Sequence, residues 1–227
     1  MRLAIVSDSH IPERETAIPE PFADRIADAD HTIHVGDVQT ADALATLRDR
    51  STELTAVRGN VDPPDLDLPS VATVENEGVT VVVTHGAVNP ASRDPAISGD
   101  PESWQEGESV VRDGTDWLEA VTATARIVAS EGVADRLDRA STPGPVELDT
   151  EAAERVADAA ADASDPEGTV IGIGGHSHRV VEDTNRGVTV LNPGTVTGAD
   201  PGPRTTMMTV ELSDGDADVT LHELDEN

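Results

Sequence analysis

Over its first sixty positions the chain switches between two hydrophobic rhythms. "LAIVS" (Leu3–Ser7) is an unbroken apolar run that stops at the polar "DSH", which predicts a buried strand. "EPFADRIADA" (Glu20–Ala29) then spaces Phe22 and Ile26 four apart, as a helix does. "HTIHVGD" (His31–Asp37) predicts a second strand that ends at Gly36 and Asp37. "TADALATLRDR" (Thr40–Arg50) predicts a helix capped by Thr40, with Ala41, Leu44 and Leu47 on one face. "ELTAVRGN" (Glu53–Asn60) is a third strand running into Gly59 and Asn60. Strands that alternate with helices imply a parallel sheet with crossovers, and in such sheets functional residues gather at the strands' C-terminal ends.

The rhythm then changes. "SVATVEN" and "VTVVVTHG", and later "GTVIGIGGHSH", "GVTVLNPG", "RTTMMTVEL" and "ADVTLHEL", are strands with no helix between neighbours. A second sheet packed on the first accounts for them. Between His85 and Gly174 the character differs again. "NPASRDPAISGDPESWQEGES" (Asn89–Ser109) reads as loop, and Thr115–Ala140 as helix with a break at Gly132. A linker leads to a further helix over Thr150–Ala163, capped by Thr150 or Asp149. The expected organisation is a single domain over 1–227 carrying an insertion at about 89–165, with no internal repeat.

Charge changes this picture little but restricts the setting. The chain carries 15 basic residues, all Arg, against 45 acidic ones, a formal net charge of −30. The periodic apolar blocks argue for a folded protein with a carboxylate-coated surface, not an acidic tail. Such a surface suits salty solvent, where self-repulsion is screened over about 3 Å at 1 M, so the composition resembles that of a halophile's protein. With no Cys, disulfides and thiolate metal sites are excluded. The N-terminal apolar run is too short for a signal segment or a membrane span, and a cytoplasmic location is expected.

The candidate chemistry lies where strands end. Asp8 and His10 follow the first, Asp37 the second, Asn60 and Asp62 the third, His85 the fifth, and His176 with His178 the next. Carboxylate, imidazole and one amide oxygen, without thiolate, suit borderline divalent ions such as Mn, Fe, Co, Ni or Zn. The donor count suits two ions sharing a carboxylate about 3.5–4 Å apart, an arrangement that generates hydroxide and holds both oxygens of an in-line displacement at phosphorus. Glycines at 36, 59, 86 and 175 fit a backbone that must turn tightly beside ligands. In "GGHSH", an extended segment would point His176 and His178 the same way, one towards each ion.

"SDSH" (7–10), "VGD" (35–37), "GNVD" (59–62), "THG" (84–86), "GGHSH" (174–178) and "LNPGT" (191–195) together resemble the calcineurin-like metallophosphoesterases, and within them the small phosphodiesterase (YfcE-like) group. The resemblance covers 1–86 and 168–227. It implies a four-layer α/β/β/α sandwich of two mixed β-sheets with a largely helical insertion, placed as a cap near the site. It also implies two divalent ions, manganese first among them, with zinc, iron, nickel or cobalt compatible. Asp8, His10 and His178 would hold the first ion, Asn60, His85 and His176 the second, and Asp37 would bridge them. Asp62 would orient a ligand or a bound water, and Asn192 would shape the loop beneath. Asp37, Asn60 and Asp62 are the residues placed closest to the reaction.

One departure bears on substrate. Many relatives acting on phosphomonoesters carry a His directly after the third motif's Asn, able to protonate the leaving group; here it is Val61. This favours a small phosphodiester substrate over a monoester. The alternative is a metal-free scaffold or binding module on the same fold. A nuclease is disfavoured because no Lys and no Arg cluster offers a basic groove. A homo-oligomer is compatible with the sequence. Among the remaining candidates, His31, His34 and His222 read as structural or surface histidines. Arg179 reads as a surface residue able to reach a phosphate, and Trp104 and Trp117 as anchors of the insertion more than as stacking platforms.

Overall fold

Leu3 and Ile5 alternate with Ala4 and Val6 along β1 (Arg2–Val6), and all four are fully buried, so this strand has protein on both faces. The computed structural model describes residues 1–86, 114–129 and 168–224. In chain order the elements are β1, α1 (Glu20–Ala27), β2 (His31–His34), α2 (Ala41–Arg50), β3 (Leu54–Ala56), β4 (Val71–Asn76) and β5 (Val79–Thr84). There follow α3 (Gly114–Ala129), β6 (Thr169–Ile173), β7 (Val180–Asn185), β8 (Val188–Pro193), β9 (Thr205–Ser213) and β10 (Asp216–Leu224).

Two five-stranded mixed sheets result, ordered β10-β9-β1-β2-β3 and β4-β5-β6-β8-β7. Leu3, Ile5 and Ile33 of the first sheet pack against Val81, Val83, Ile171 and Ile173 of the second, forming the central core. The opposite face of β1, Ala4 and Val6, packs on Phe22 and Ile26 of α1 and Leu47 of α2. The outer face of the second sheet, Val82, Val170 and Val190, packs on Trp117, Val121 and Ala125 of α3. Helices, sheet, sheet, helix is the four-layer order expected, and each buried Leu, Ile or Phe contributes about 1.5–3 kcal/mol to it. Thr40 caps α2 as expected, its Oγ1 accepting from Ala43 N at 3.2 Å.

The structure departs from the sequence reading in three places. First, β9 and β10 do not join the second sheet: β9 runs antiparallel to β1, and β10 pairs with β9 alone. Second, β7 is an edge strand, VVEDTN, whose middle residues are exposed, so it carries no apolar alternation to reveal it. Third, α3 is not a cap over the site but the outer layer of the sandwich, and Trp117 is its buried anchor. The expected loop at Asn89–Ser109, the break at Gly132, the helix at Thr150–Ala163 and Trp104 lie outside the described residues. Among the described residues no helix is long and apolar enough to cross a membrane.

In the first sheet β1, β2 and β3 are parallel, and in the second β5, β6 and β8 are. The C-terminal ends of the first trio deliver Asp8, His10, Asp37 and Asn60, and those of β5 and β6 deliver His85, His176 and His178.

Candidate metal centre

Just past β1 the backbone turns left-handed. Asp8, His10, Asp37, His176 and His178 all take positive φ, at 53°, 48°, 61°, 67° and 54°. Residues other than Gly are uncommon there, and each such position costs about 1–3 kcal/mol that the surrounding structure must offset. Their clustering on donor side chains marks the place where geometry is imposed for chemistry. It also corrects the reading of "GGHSH": the segment is not extended, and Ser177 N turns back to Gly175 O at 2.7 Å.

Asp8 Oδ2 accepts from Ser7 Oγ at 2.5 Å and from His176 N at 3.1 Å. Its Oδ1 is buried without any hydrogen-bond partner, and lies 3.3 Å from His178 Nε2 and 4.0 Å from His10 Nε2. The two ring nitrogens face each other at 3.1 Å. Asp37 Oδ2 is 3.6 Å from His10 Nε2. Ligand atoms of Asp8, His10, Asp37 and His178, all four residues buried, lie within 4.8 Å of one another. A buried orphan carboxylate oxygen beside converging imidazoles is a donor set that fits a divalent cation.

A second group sits alongside. Asn60 Oδ1 lies 3.0 Å from His85 Nε2 and 2.9 Å from His176 Nδ1. Asp37 Oδ2 is 3.4 Å from His85 Nε2, so this one oxygen faces both groups. Thus the seven donors predicted from the motifs meet in two adjoining clusters at the end of the sandwich. The rings are oriented from behind. His85 Nδ1 donates to Val35 O at 2.6 Å and His178 Nδ1 to Ala199 O at 2.9 Å, so in the neutral ring the lone pair lies on Nε2 of each.

Charge balance tightens the arrangement. Burial would disfavour a charged ring at His85, but Asp37 beside it outweighs that and pushes its pKa up to about 10. Burial likewise opposes ionisation of Asp37, yet His85 holds its carboxyl well below the usual range. His176 goes the other way, pushed down to about 4 by burial and by the positive His85. A proton on His85 thus supplies positive charge that a cation at Nε2 would replace. Metal loading should therefore be accompanied by proton release, since a cation at Nε2 displaces the proton that Asp37 favours on this ring. Calorimetric titration in buffers of different ionisation enthalpy measures it, and no proton release would contradict the charged state of His85 before metal binds.

The other candidates fall into supporting places. The Asp62 carboxylate is taken up by three backbone amides, Asp37 N at 2.9 Å, Gln39 N at 2.7 Å and Gly59 N at 2.8 Å. It holds the loops after β2 and β3 together, and among the described residues it hydrogen-bonds to no ligand side chain. Asn192 Nδ2 donates to Gly175 O at 2.9 Å and Ser177 Oγ at 3.0 Å, shaping the loop that carries His176 and His178. His34 is buried behind the site against Ser9 Oγ, at 3.1 Å, His31 is held by Thr55 and His222 by Thr209. Arg179 is exposed. Gly36 and Gly86 take positive φ, whereas a Cβ on Gly175 would strike Ser7 Oγ and press on Asp8 Oδ2. Sequence reading gave no role to Ser7 or Thr195, although both lie within its motifs, and did not reach Gln39 or Thr197. Thr195 Oγ1 and Thr197 Oγ1 donate to the backbone carbonyls of Asp8 and Ser9 at 2.9 and 3.0 Å, contacts across some 187 residues that no local pattern announces.

Comparison with known proteins gives a consistent picture. The family described as "Calcineurin-like phosphoesterase superfamily domain" matches residues 1–112 and 95–215, so the match runs through the middle segment. A probable metallophosphoesterase of Methanothermobacter thermautotrophicus is 33% identical over 91 residues, 40% of this chain and 52% of that protein. The chain spans about half the length of the curated relatives it matches. Among solved structures, Vps29 of Chaetomium thermophilum superposes with a TM-score of 0.58 at 16% identity, covering 99% of this chain and 95% of that one. Vps29 of Entamoeba histolytica, solved in complex with zinc, superposes with a TM-score of 0.57 at 19% identity, covering 99% and 98%. At these identities the likeness is one of fold.

Proposed function

The chain belongs to the calcineurin-like phosphoesterase superfamily, and on that premise we propose that it is a phosphoesterase working with two divalent ions, manganese foremost, on small phosphodiesters. The observation that carries the reading is Asp37 Oδ2 facing both donor groups, 3.6 Å from His10 Nε2 and 3.4 Å from His85 Nε2. Asp8, His10 and His178 would hold one ion and Asn60, His85 and His176 the other, with Asp37 between. Divalent ions there would supply Lewis-acid charge at the phosphoryl oxygens and a nucleophile drawn from water near neutral pH.

The chain's own residues do the rest. Ser7 and the His176 amide lock Asp8 in one orientation, and Val61 N, donating to Asp37 Oδ1 at 3.1 Å, leaves Oδ2 as the free oxygen. Asp62 acts through the backbone and so is a positioning residue. Val61 itself is 38% exposed beside Asn60 and has no proton to give, so leaving groups that need protonation are disfavoured. A manganese-loaded panel of bis(4-nitrophenyl) phosphate, 4-nitrophenyl phosphate and glycerol phosphate tests this. The diester should be turned over fastest, and the alkyl monoester slowest by at least about 100-fold, the worth of a general acid. Fastest turnover of glycerol phosphate would overturn the diester assignment. A metal-free scaffold or binding module on the same fold is the competing reading. Protein purified without chelator would then hold well under one ion per chain.

A further inference from the structure

Three histidines turn Nε2 towards the donor groups, and they differ in what holds the far side of the ring. Behind His85 and His178 stand backbone carbonyls, which can only accept, so the ring proton stays on Nδ1. Behind His10 stands a side-chain amide, Gln39, with Nε2 at 3.4 Å from His10 Nδ1. Among the described residues no other group is within hydrogen-bonding distance of that nitrogen.

Gln39 is held firmly in place. It is 8% exposed, its backbone takes φ +78°, and its N–H donates to Asp62 Oδ1 at 2.7 Å. Its amide nitrogen also lies 3.2 Å from Glu13 Oε2, while its Oε1 is buried with no partner. An amide has one accepting end and one donating end. Only the accepting end can keep the proton of a neutral ring on Nδ1 and so free Nε2 for a cation. Rotation about the last torsion exchanges the two ends at nearly constant shape and brings Oε1 to Nδ1–H. Glu13 works against that rotation, because its carboxylate accepts from the amide nitrogen and would face the oxygen instead.

We propose that Gln39 is the positioning residue that fixes His10 as an Nε2 ligand, through an amide oxygen turned to Nδ1, and that Glu13 beside it tunes how tightly the ion is held. The inference rests on reading His10 as a metal ligand, as above. Neither residue is itself in the donor set, so each can be changed without removing a ligand.

The test is a zinc titration of chelator-stripped protein against a chromophoric competitor, with His10 ring-nitrogen shifts read by NMR. Gln39→Leu should weaken the binding about 10-fold, the usual scale for a group behind a ligating His, and release the Nδ1-protonated tautomer. Gln39→Glu, which accepts at both ends, should keep the original affinity or better it when combined with Glu13→Gln, which removes the facing carboxylate. Glu13→Gln should tighten binding, since its amide can donate to Gln39 Oε1. A merely structural Gln39 would lose affinity equally as Leu or in that combined variant and leave Glu13→Gln neutral, and either result overturns the proposal. Unchanged affinity in a folded Gln39→Leu protein does so too. Should Gln39→Leu fail to fold, absence of tightening in Glu13→Gln is decisive. If the unaltered protein takes up neither zinc nor manganese, the functional reading falls as well. If it binds zinc and hydrolyses diesters while the variants match it, only this inference falls.

Discussion

Asp37→Asn should lower metal-dependent hydrolysis of a chromogenic phosphodiester by at least about 10³-fold, the kinetic equivalent of the several kcal/mol that metal-borne charge stabilisation supplies. Among the described residues, Asp37 Oδ2 is the atom that faces both donor groups, and Asn replaces either charge or acceptor there with an amide. The change is nearly isosteric. Val61 N can still donate to an oxygen at the Oδ1 position, and Asp62 still grips the Asp37 backbone amide. The fold should therefore survive, which the melting temperature checks. The neighbouring ring reports the same loss independently: without the Asp37 charge, burial is left to dominate and the His85 pKa should drop from about 10. Full activity in a folded Asp37→Asn protein would sink the assignment.

Gly59→Ala should be the most damaging small change outside the donor set. A Cβ at Gly59 would overlap Asp37 Oδ1, Cγ and backbone N, and backbone cannot swing aside as the end of a long side chain can. The loops after β2 and β3 are clipped together at this point, with Gly59 N and Asp37 N both donating to Asp62 Oδ2 at 2.8 and 2.9 Å. Relieving the overlap means opening that clip, which breaks hydrogen bonds to a buried carboxylate and displaces Asp37. Overpacking of this kind costs about 3 kcal/mol, and in a chain of this size that lowers the melting temperature by about 6–12 °C. Activity should fall with it, because Asp37 moves with the clip. Thermal unfolding and hydrolysis measured on the same preparation check both, and an unchanged melting temperature would contradict the packing account.

Much of this was readable along the chain because the relevant physics is local. A run such as "LAIVS" reports burial by its own composition, Thr40 announces a cap by its place before a helical pattern, and a polar residue just after a strand lies at a sheet edge wherever the strand goes. That is why Asp8, His10, Asp37, Asn60, His85, His176 and His178 could be picked out before any contact was known. β7 escaped because an edge strand with exposed acidic residues has no apolar alternation to show. Gln39 escaped because a Gln two residues past a motif carries no pattern of its own.

The strands other than β7, the residue types at their ends and the acidic, cysteine-free composition belong to the sequence by itself, since each follows from short-range periodicity or from simple counting. Tertiary structure decided the remainder. It returned β9 and β10 to the first sheet, turned α3 into the outer layer, and brought His10 and His178, 168 residues apart, to 3.1 Å. It also forced five donor-bearing residues into left-handed backbone and put Gln39 behind His10. Pairing partners and ring orientation depend on contacts between distant segments, whose energies no window of neighbouring residues contains.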